Sequence, residues 1–506
     1  MIRTLWSLAI AAALLSALAS PARAQSESAP RQPGADTPAT AAKPPAPEKK
    51  VAIEFTSLNL MHRKGIISDA EYESALRDVG DSLGAKAGES LSLMLSRWSL
   101  TFYGFVEADF IHDSTESLNE VAGNSLISRP DTYAGSHDRF MVGIRNSRFG
   151  FRIRAPEYHG IRASANLEMD ALGNQPPTAT EAATWTSPAI RVRHYNLKVE
   201  TPIVDFLIGQ YWALFGWQAL YFPNTVEIMG VPSELFHRDI QFRISKTLKT
   251  APINIEIAAA IFRSPQRDSG LPDGQGGIRL LVNKWTGMQT VNSTGTSLAP
   301  LSVGISGTVR GYNLPEFAAA PKNAVGKTGW GVAVDGFIPI LPARPSKKGN
   351  ALSLSGEYVY GYGVADQYTG LTGGVVNADL PNPMKTMPAP AYTSNIDPGL
   401  VVFSADGIAH LIQWQTFNVG LQYYLPGLNG RVWVSGNFSR SNSDNTRLHG
   451  ASSKVRDTEL WSDANIFWDV TSAVRLGFEY AWFQDHYVDG VEATNHRAQF
   501  SAFYLF

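Results

Sequence analysis

The sequence predicts an all-β chain that crosses a membrane as an antiparallel up-and-down β-barrel of about 16 strands, preceded by a short helical segment on the periplasmic side. Three observations predict it. Apolar and polar residues alternate with period two over stretches of about ten residues, the length a tilted strand needs to cross a bilayer. The connections between these stretches alternate between short and long, as the two rims of an outer-membrane barrel do. The chain also opens on an export signal and closes on an alternating aromatic strand that ends in Phe506.

Composition narrows the alternatives. The chain has 506 residues, of which 44% are hydrophobic and 17% charged, yet its mean hydropathy is only -0.12. A helical membrane protein needs repeated apolar runs of roughly 20 residues, and only the extreme N-terminus approaches one. A net charge of -2 argues against a nucleic-acid partner. The absence of cysteine excludes a disulfide framework, thiolate metal sites and cysteine nucleophiles.

Residues 1–24 have the form of a secretory signal. Arg3 supplies the positive start, Leu5 to Leu18 the apolar stretch, and Ala22-Arg23-Ala24 the small residues that a signal peptidase cuts behind. An uncleaved N-terminal anchor is the alternative; the short run and the cleavage pattern argue against it. Residues 25–50, rich in Pro and Ala, cannot bury a core and form an extended linker. Residues 51–97 hold the helical segment. Phe55, Leu58 and Met61 fall at helical spacing, and Ser68-Asp69-Ala70-Glu71 is a capping-box pattern opening a second piece. This segment either packs under the barrel or mediates oligomerisation or wall contact in the periplasm.

The barrel domain occupies 98–506. Phe102, Val106, Ala108 and Phe110 alternate with Glu107 and Asp109, and Phe149, Phe151 and Ile153 alternate with Arg148, Arg152 and Arg154. Ala163, Ala165, Leu167 and Met169 alternate with Arg162, Glu168 and Asp170, and Ile240, Phe242 and Ile244 with Gln241, Arg243 and Ser245. Strands begin near 101, 147, 160, 189, 204, 239, 252, 277, 302, 328, 351, 412, 430, 459, 473 and 495. Residues 287–300 are longer than a short turn allows: either strand ends fall elsewhere there or one turn is extended. A soluble β-sandwich shows the same alternation with the opposite burial. Aromatics near strand ends (Trp98, Tyr103, Tyr358, Tyr360, Tyr423, Tyr480, Trp482) suit membrane-interface girdles and favour the barrel. So does the last strand, where Phe500, Tyr504 and Phe506 resemble the signal read by the outer-membrane assembly machinery.

A resemblance to known channels follows from the order of several stretches. Asn146-Ser147-Arg148-Phe149-Gly150-Phe151-Arg152 and Asn166-Leu167-Glu168-Met169-Asp170 resemble the second and third strands of general porins. Ile190-Arg191-Val192-Arg193-His194-Tyr195 and Leu207-Ile208-Gly209-Gln210-Tyr211-Trp212 resemble the next two strands of DcaP-like porins, followed by His237-Arg238-Asp239-Ile240-Gln241-Phe242-Arg243. The resemblance covers residues 99–250 best. It implies a 16-stranded outer-membrane barrel, usually trimeric, that passes small and often anionic molecules such as dicarboxylates. The 213–238 loop, unusually apolar from Phe215 to Phe236, departs from the pattern.

A barrel of this size leaves an aqueous channel whose charged inner wall sets selectivity. Arg148, Arg152, Arg154, Arg162, Arg191, Arg193 and Arg243 are assigned to the lumen, because each would cost roughly 2–4 kcal/mol on the lipid face near the midplane. Together they form a candidate basic ladder that concentrates anions. Glu107, Asp109, Glu168 and Asp170 share that lumen, so the same arginines have a second reading as wall-bracing ion pairs. The 213–238 loop is either an inward constriction, lined by Glu227, Glu234, His237, Arg238 and Asp239, or an extracellular or subunit-contact loop, as Trp217, Leu220, Tyr221 and Phe222 suggest. No cofactor or metal is expected. An enzyme is disfavoured: no nucleophile elbow, H-E-x-x-H, P-loop or dinucleotide fingerprint occurs, and His410 and His486 fall in predicted loops. A plugged structural or adhesive barrel, with 365–411 occluding the lumen, is the other alternative. The expected partners are outer-membrane lipid, small anionic or polar solutes, the assembly machinery and two further copies of the chain.

Overall fold

The computed structural model describes residues 91–95, 97–124, 126–174, 187–227, 230–263, 270–292, 294–318, 320–345, 347–369, 371, 396, 399–404, 407–449 and 455–506. The signal (1–24), the linker (25–50) and the helical pattern up to residue 90 lie outside the described residues.

The strands in chain order are β1 (Leu91–Leu95), β2 (Trp98–Asp113), β3 (Arg139–Gly143), β4 (Arg148–Arg154), β5 (Arg162–Asp170), β6 (Arg191–Glu200), β7 (Asp205–Trp212), β8 (Arg238–Lys249), β9 (Ile253–Phe262) and β10 (Asp273–Val291). They continue with β11 (Gly295–Pro315), β12 (Ala324–Leu341), β13 (Ala351–Tyr362), β14 (Val401–Phe403), β15 (Ala409–Leu411), β16 (Gln413–Tyr424), β17 (Val432–Asn442), β18 (Arg456–Asp469), β19 (Val474–Tyr487) and β20 (Glu492–Leu505). Strands β3 and β4 are two halves of one wall strand, interrupted at 144–147, and β14–β15 is a separate small hairpin. The remaining strands from β2 to β20 form a closed antiparallel barrel of 16 strands in which each pairs with its sequence neighbours, and β1 adds to the edge of β2.

Closure is made at β2. Its upper edge pairs with β20, from Phe105↔Leu505 to Asp113↔Arg497. Below the C-terminus the same edge pairs with β1, Phe102↔Leu91 through Trp98↔Leu95. Residues 91–95, which the sequence reading placed in the helical segment, are therefore a strand. The Leu-Ser-Leu-Met-Leu run fits a period of two as well as a helical turn, and an otherwise open β2 edge takes it up. Phe506 and Gly104 exchange both backbone hydrogen bonds at 3.0 Å, and the Phe506 ring stacks on Phe102 at 4.8 Å.

Short turns follow from local chemistry. At 201–204 the Thr201 hydroxyl accepts from the amides of Ile203 and Val204, and at 471–474 the Thr471 hydroxyl accepts from Ala473 and Val474. The 425–431 turn places Asn429 and Gly430 at positive φ, the left-handed region those residue types tolerate best. At 287–300 the connection is extended as a β-hairpin: past an irregularity between Val282 and Thr286, β10 and β11 pair only with each other, as far as Val291↔Gly295, and bond to Ser353, Gln422 and Arg475 of other wall strands.

The burial pattern is inverted relative to a soluble sheet protein. Val106, Phe110, Ile208, Ile240, Ile257, Ile305, Val334 and Phe478 are exposed on the outer face. Their strand neighbours Glu107, Asp109, Gln241, Ser306, Asp335 and Glu479 are buried inside. In water this would be unstable. In a bilayer the outer face meets acyl chains and the polar face surrounds the lumen. One girdle assignment is corrected: Tyr103 points inward, its hydroxyl donating to Asn166 Oδ1 (2.8 Å) and Glu168 Oε2 (3.1 Å). It lies on the same face of β2 as Phe105 and Glu107, which parity requires.

The inversion predicts opposite responses on the two faces. Val334→Arg, on the outer face of β12, should cost about 2–4 kcal/mol in a urea titration of the barrel in lipid vesicles. Ser245→Arg, on the inner face of β8, should cost under about 1 kcal/mol in the same titration. Equal costs would contradict the inversion.

Candidate functional site: the constricted lumen

The 213–237 loop folds into the barrel and crosses to the far wall. Its amides are taken up by wall side chains: Leu214 and Phe215 donate to Gln275 Oε1 (2.8 and 3.1 Å), Gly216 to Ser306 Oγ (2.7 Å), Val226 and Glu227 to Glu479 Oε2 (2.8 and 2.9 Å). Asn224 accepts from Trp433 Nε1 (2.9 Å), Ser435 Oγ (2.7 Å) and Asn437 Nδ2 (3.0 Å). Buried loop backbone needs such partners, and the polar inner face supplies them.

The aromatic residues that suggested an external loop serve the docking instead. Trp217, Tyr221 and Phe222 are buried, and only Leu220 is exposed, at 37%. Trp217 packs onto the wall where the sequence has glycine. A Cβ on Gly304 would lie 2.7 Å from Trp217 Cδ1, and one on Gly277 3.1 Å from Cε2. Gly331 makes the same room for Phe215, and Gly477 for Val226. Phe222 and Phe236 form an aromatic group with Trp212, centroids 4.8 to 5.3 Å apart.

A second loop joins the first. Within 363–412, the described residues Val364, Ala365, Tyr368, Leu371, Leu400 to Phe403 and Ile412 are buried with Phe215 and Leu235 of the first loop and Tyr312 and Val359 of the wall. The loops pair directly: Phe236 N donates to Gln367 O (2.9 Å) and Thr369 N to Glu234 O (3.0 Å). Arg310 on β11 fastens this loop, holding Asp366 through both terminal nitrogens and Asp273 at 3.0 Å. The first loop thus reaches the inner faces of β17, β19 and β20, where Asn437, Ser439, Glu479 and Arg497 bond to it, while Ser353 of β13 and Gln422 of β16 bond to Met288 and Thr290 near the end of β10.

The wall formed by β4 to β8 meets the first loop at Trp212, against which Phe222 and Phe236 pack, and along this wall the predicted ladder divides in two. Arg148, Arg191 and Arg193 are engaged by carboxylates. Arg193 bridges Glu168 Oε1 (2.8 Å) and Asp170 Oδ2 (2.9 Å), and Arg191 takes both Asp170 oxygens (3.0 and 2.7 Å). Arg148 Nε lies 3.7 Å from Glu168. Arg152 and Arg154 are exposed on the inner face and have no carboxylate partner among the described residues, while Arg162 is 63% exposed and 3.5 Å from Glu200. Arg243 is half-buried, donating to Gln241 Oε1 (2.9 Å) and Trp212 O (2.6 Å).

A β-bulge explains why strand parity fails in β6. Glu168 pairs with His194 but Met169 pairs with Val192, so Arg193 is the extra residue and both Arg193 and His194 are buried. Beyond it Lys198 pairs with Ser164 and joins the inner face, 42% exposed and 3.1 Å from Glu200. Alternation alone leaves both residues unassigned; the missing signal is a polar pair interrupting an apolar row.

The remaining predicted residues fall in several places. Glu107 and Asp109 are buried behind the first loop. Glu227 is pinned to Arg497 on β20 (3.2 Å), which also grips Asp113, and Glu234 is buried with its carboxylate on Val231 N (2.9 Å). His237 Nε2 lies 2.7 Å from Asp239 Oδ1. Arg238 opens β8 against the rings of Trp212 and Phe236. Phe500 and Tyr504 are on the outer face with Phe506 at the seam. His410 lies 3.0 Å from Ser404 at the β14–β15 hairpin, and His486 pairs with Asp457 at 2.8 Å.

No protein-family profile and no curated protein matches the sequence. Solved structures do match in fold. The outer membrane channel DcaP of Acinetobacter baumannii is 17% identical, with TM-score 0.56 over 83% of this chain and 100% of that one. OmpF of Salmonella typhi is 10% identical, with TM-score 0.45 over 82% of this chain and 100% of that one. OmpT of Vibrio cholerae, in a trimer form, is 12% identical, with TM-score 0.44 over 81% and 100%. The fold is that of an outer-membrane porin. Within that porin fold the inward loop follows the fifth wall strand, and the second loop narrows the lumen further.

The glycine sockets make a testable claim. Gly304→Leu should force Trp217 off the wall at a cost of about 1–3 kcal/mol. Planar-bilayer recordings should then show flickering current levels. A steady current of unchanged size would mean that the loop is not held there.

Proposed function

We propose that this chain is an outer-membrane porin giving passive, diffusive passage to small polar solutes, with a preference for small anions such as carboxylates. One observation carries the preference. The exposed inner-face charges of β4 to β6 are Arg152, Arg154, Arg162 and Lys198 against Glu200. The carboxylates of the constriction loop, Glu227 and Glu234, are buried away from this wall. Fixed guanidinium and ammonium groups beside a water-filled passage raise the local anion concentration, and guanidinium groups bind carboxylates in a planar fork. Export by a cleaved signal after Ala24, insertion by the assembly machinery through the last strand, and assembly as a homotrimer complete the proposal.

A plugged barrel is the second reading, favoured by the two loops that fold against the inner wall. Recording in a planar bilayer separates the two: stepwise ion currents support a pore, and silence supports a plug. In a salt gradient the reversal potential should show anion preference. Arg152→Ala with Arg154→Ala should shift it toward zero, whereas Arg148→Ala, removing a carboxylate-engaged group, should act mainly on stability. Cation preference in the unaltered protein would refute the anion proposal.

A further inference from the structure

We infer that the passage contains a discrete oxyanion-binding station centred on Arg238, so that passage is saturable as well as charge-selective. The inference rests on the anion-passing reading above.

The station follows from a local charge imbalance. Arg238 lies in the field of Arg148, Arg191 and Arg193. Glu168 and Asp170 are the carboxylates engaged by those three arginines, with Glu168 Oε2 accepting from Tyr103 and Asp170 Oδ1 also from Leu172 N, so their oxygens already have partners. Arg238 forms no ion pair among the described residues, and its buried Nη1 has no hydrogen-bond partner. The nearest acid in sequence, Asp239, is turned to His237. A buried guanidinium nitrogen without an acceptor, beside three further cations, is costly unless an anion completes it.

The surroundings favour a built site over a loose side chain. The guanidinium carbon of Arg238 lies 4.9 Å from the Trp212 ring and 5.4 Å from the Phe236 ring. Trp212 is itself fixed by Phe222 and Phe236 and lies 5.6 Å from Arg193. Aromatic faces attract the cation and fix its plane, while the fork of N–H donors keeps its edge for an acceptor. Part of the side chain remains accessible to solvent, at the point where the constriction loop rejoins the wall. A ligand with two oxygens in one plane, a carboxylate or a phosphate, matches that fork. Chloride, a single point acceptor, does not.

The test is single-channel recording of chloride current in planar bilayers with acetate or inorganic phosphate added. In the unaltered protein both should reduce the chloride current saturably, and the lower half-blocking concentration tells which oxyanion the station prefers. Arg238→Gln should raise the half-blocking concentration about tenfold or more, as loss of a charge-assisted hydrogen bond implies, with the reversal potential in potassium chloride still on the anion side. Arg154→Gln should do the converse, moving the reversal potential and leaving the block in place. Arg238→Lys, which keeps the charge without the fork, gives a second readout if the glutamine variant does not fold: it should weaken block by phosphate and acetate while keeping selectivity. Block of equal strength in Arg238→Gln, or in Arg238→Lys, would overturn the station. Cation preference in the unaltered protein would instead overturn the anion-passing reading beneath it.

Discussion

The constraint on which the rest depends is that hydrocarbon offers no hydrogen-bond partner to a strand edge. Every N–H and C=O at membrane depth must be satisfied within the protein, so the sheet must close. Here closure falls to a single strand. The edge of β2 is shared between β20 above and β1 below, and the exchange of hydrogen bonds between Phe506 and Gly104 lies between them. Closing 16 strands then fixes a diameter that side chains alone cannot fill. What occupies the interior is decided by loops and water.

The loops enter because the inner wall is polar and carries gaps of the right shape. Loop amides that would be orphaned in an apolar core find Gln275, Ser306 and Glu479 on the wall. Bulky loop side chains find Gly304, Gly331 and Gly477. Fastening is done by guanidinium groups that each hold two carboxylates, one of them on a loop: Arg310 with Asp273 and Asp366, and Arg497 with Asp113 and Glu227; Arg456 braces the wall in the same way through Glu459 and Asp485. Removing one partner of such a buried set leaves an uncompensated charge, a penalty of about 3–5 kcal/mol. These charges are thereby committed to architecture.

Much of this was legible in the sequence, for a physical reason. A wall strand between lipid and water must alternate, so Phe149, Phe151 and Ile153 could be told from Arg148, Arg152 and Arg154 without coordinates. Strand number and order followed from the same rule. What was not legible depended on contacts distant in sequence. The bulge at Arg193 breaks the period locally, and only pairing with Glu168 shows that His194 and Lys198 turn inward. The apolar loop left an external surface open beside an inward constriction because nothing in its own sequence reveals the glycine sockets sixty or more residues away. Tyr103 looked like a girdle residue because aromatics at strand ends usually are; its hydroxyl partners lie two strands on.

The geometry divides the arginine ladder: Arg148, Arg191 and Arg193 brace the wall through carboxylates, which leaves the proposed selectivity to Arg152, Arg154 and Arg162. The distinction is whether a carboxylate sits within reach on the neighbouring strand. Position 148 has Asp170 directly opposite and Glu168 beside it, whereas 152 and 154 face Asn166 and Ser164. A paired arginine presents a small dipole, whose field falls off quickly in water. An unpaired one acts over roughly a Debye length, about 8 Å at physiological salt, which is enough to bias ions in a passage narrowed by two loops. On the proposed reading, the selectivity of such a wall is set by where asparagine and serine stand opposite arginine, and not by how many arginines the strand carries.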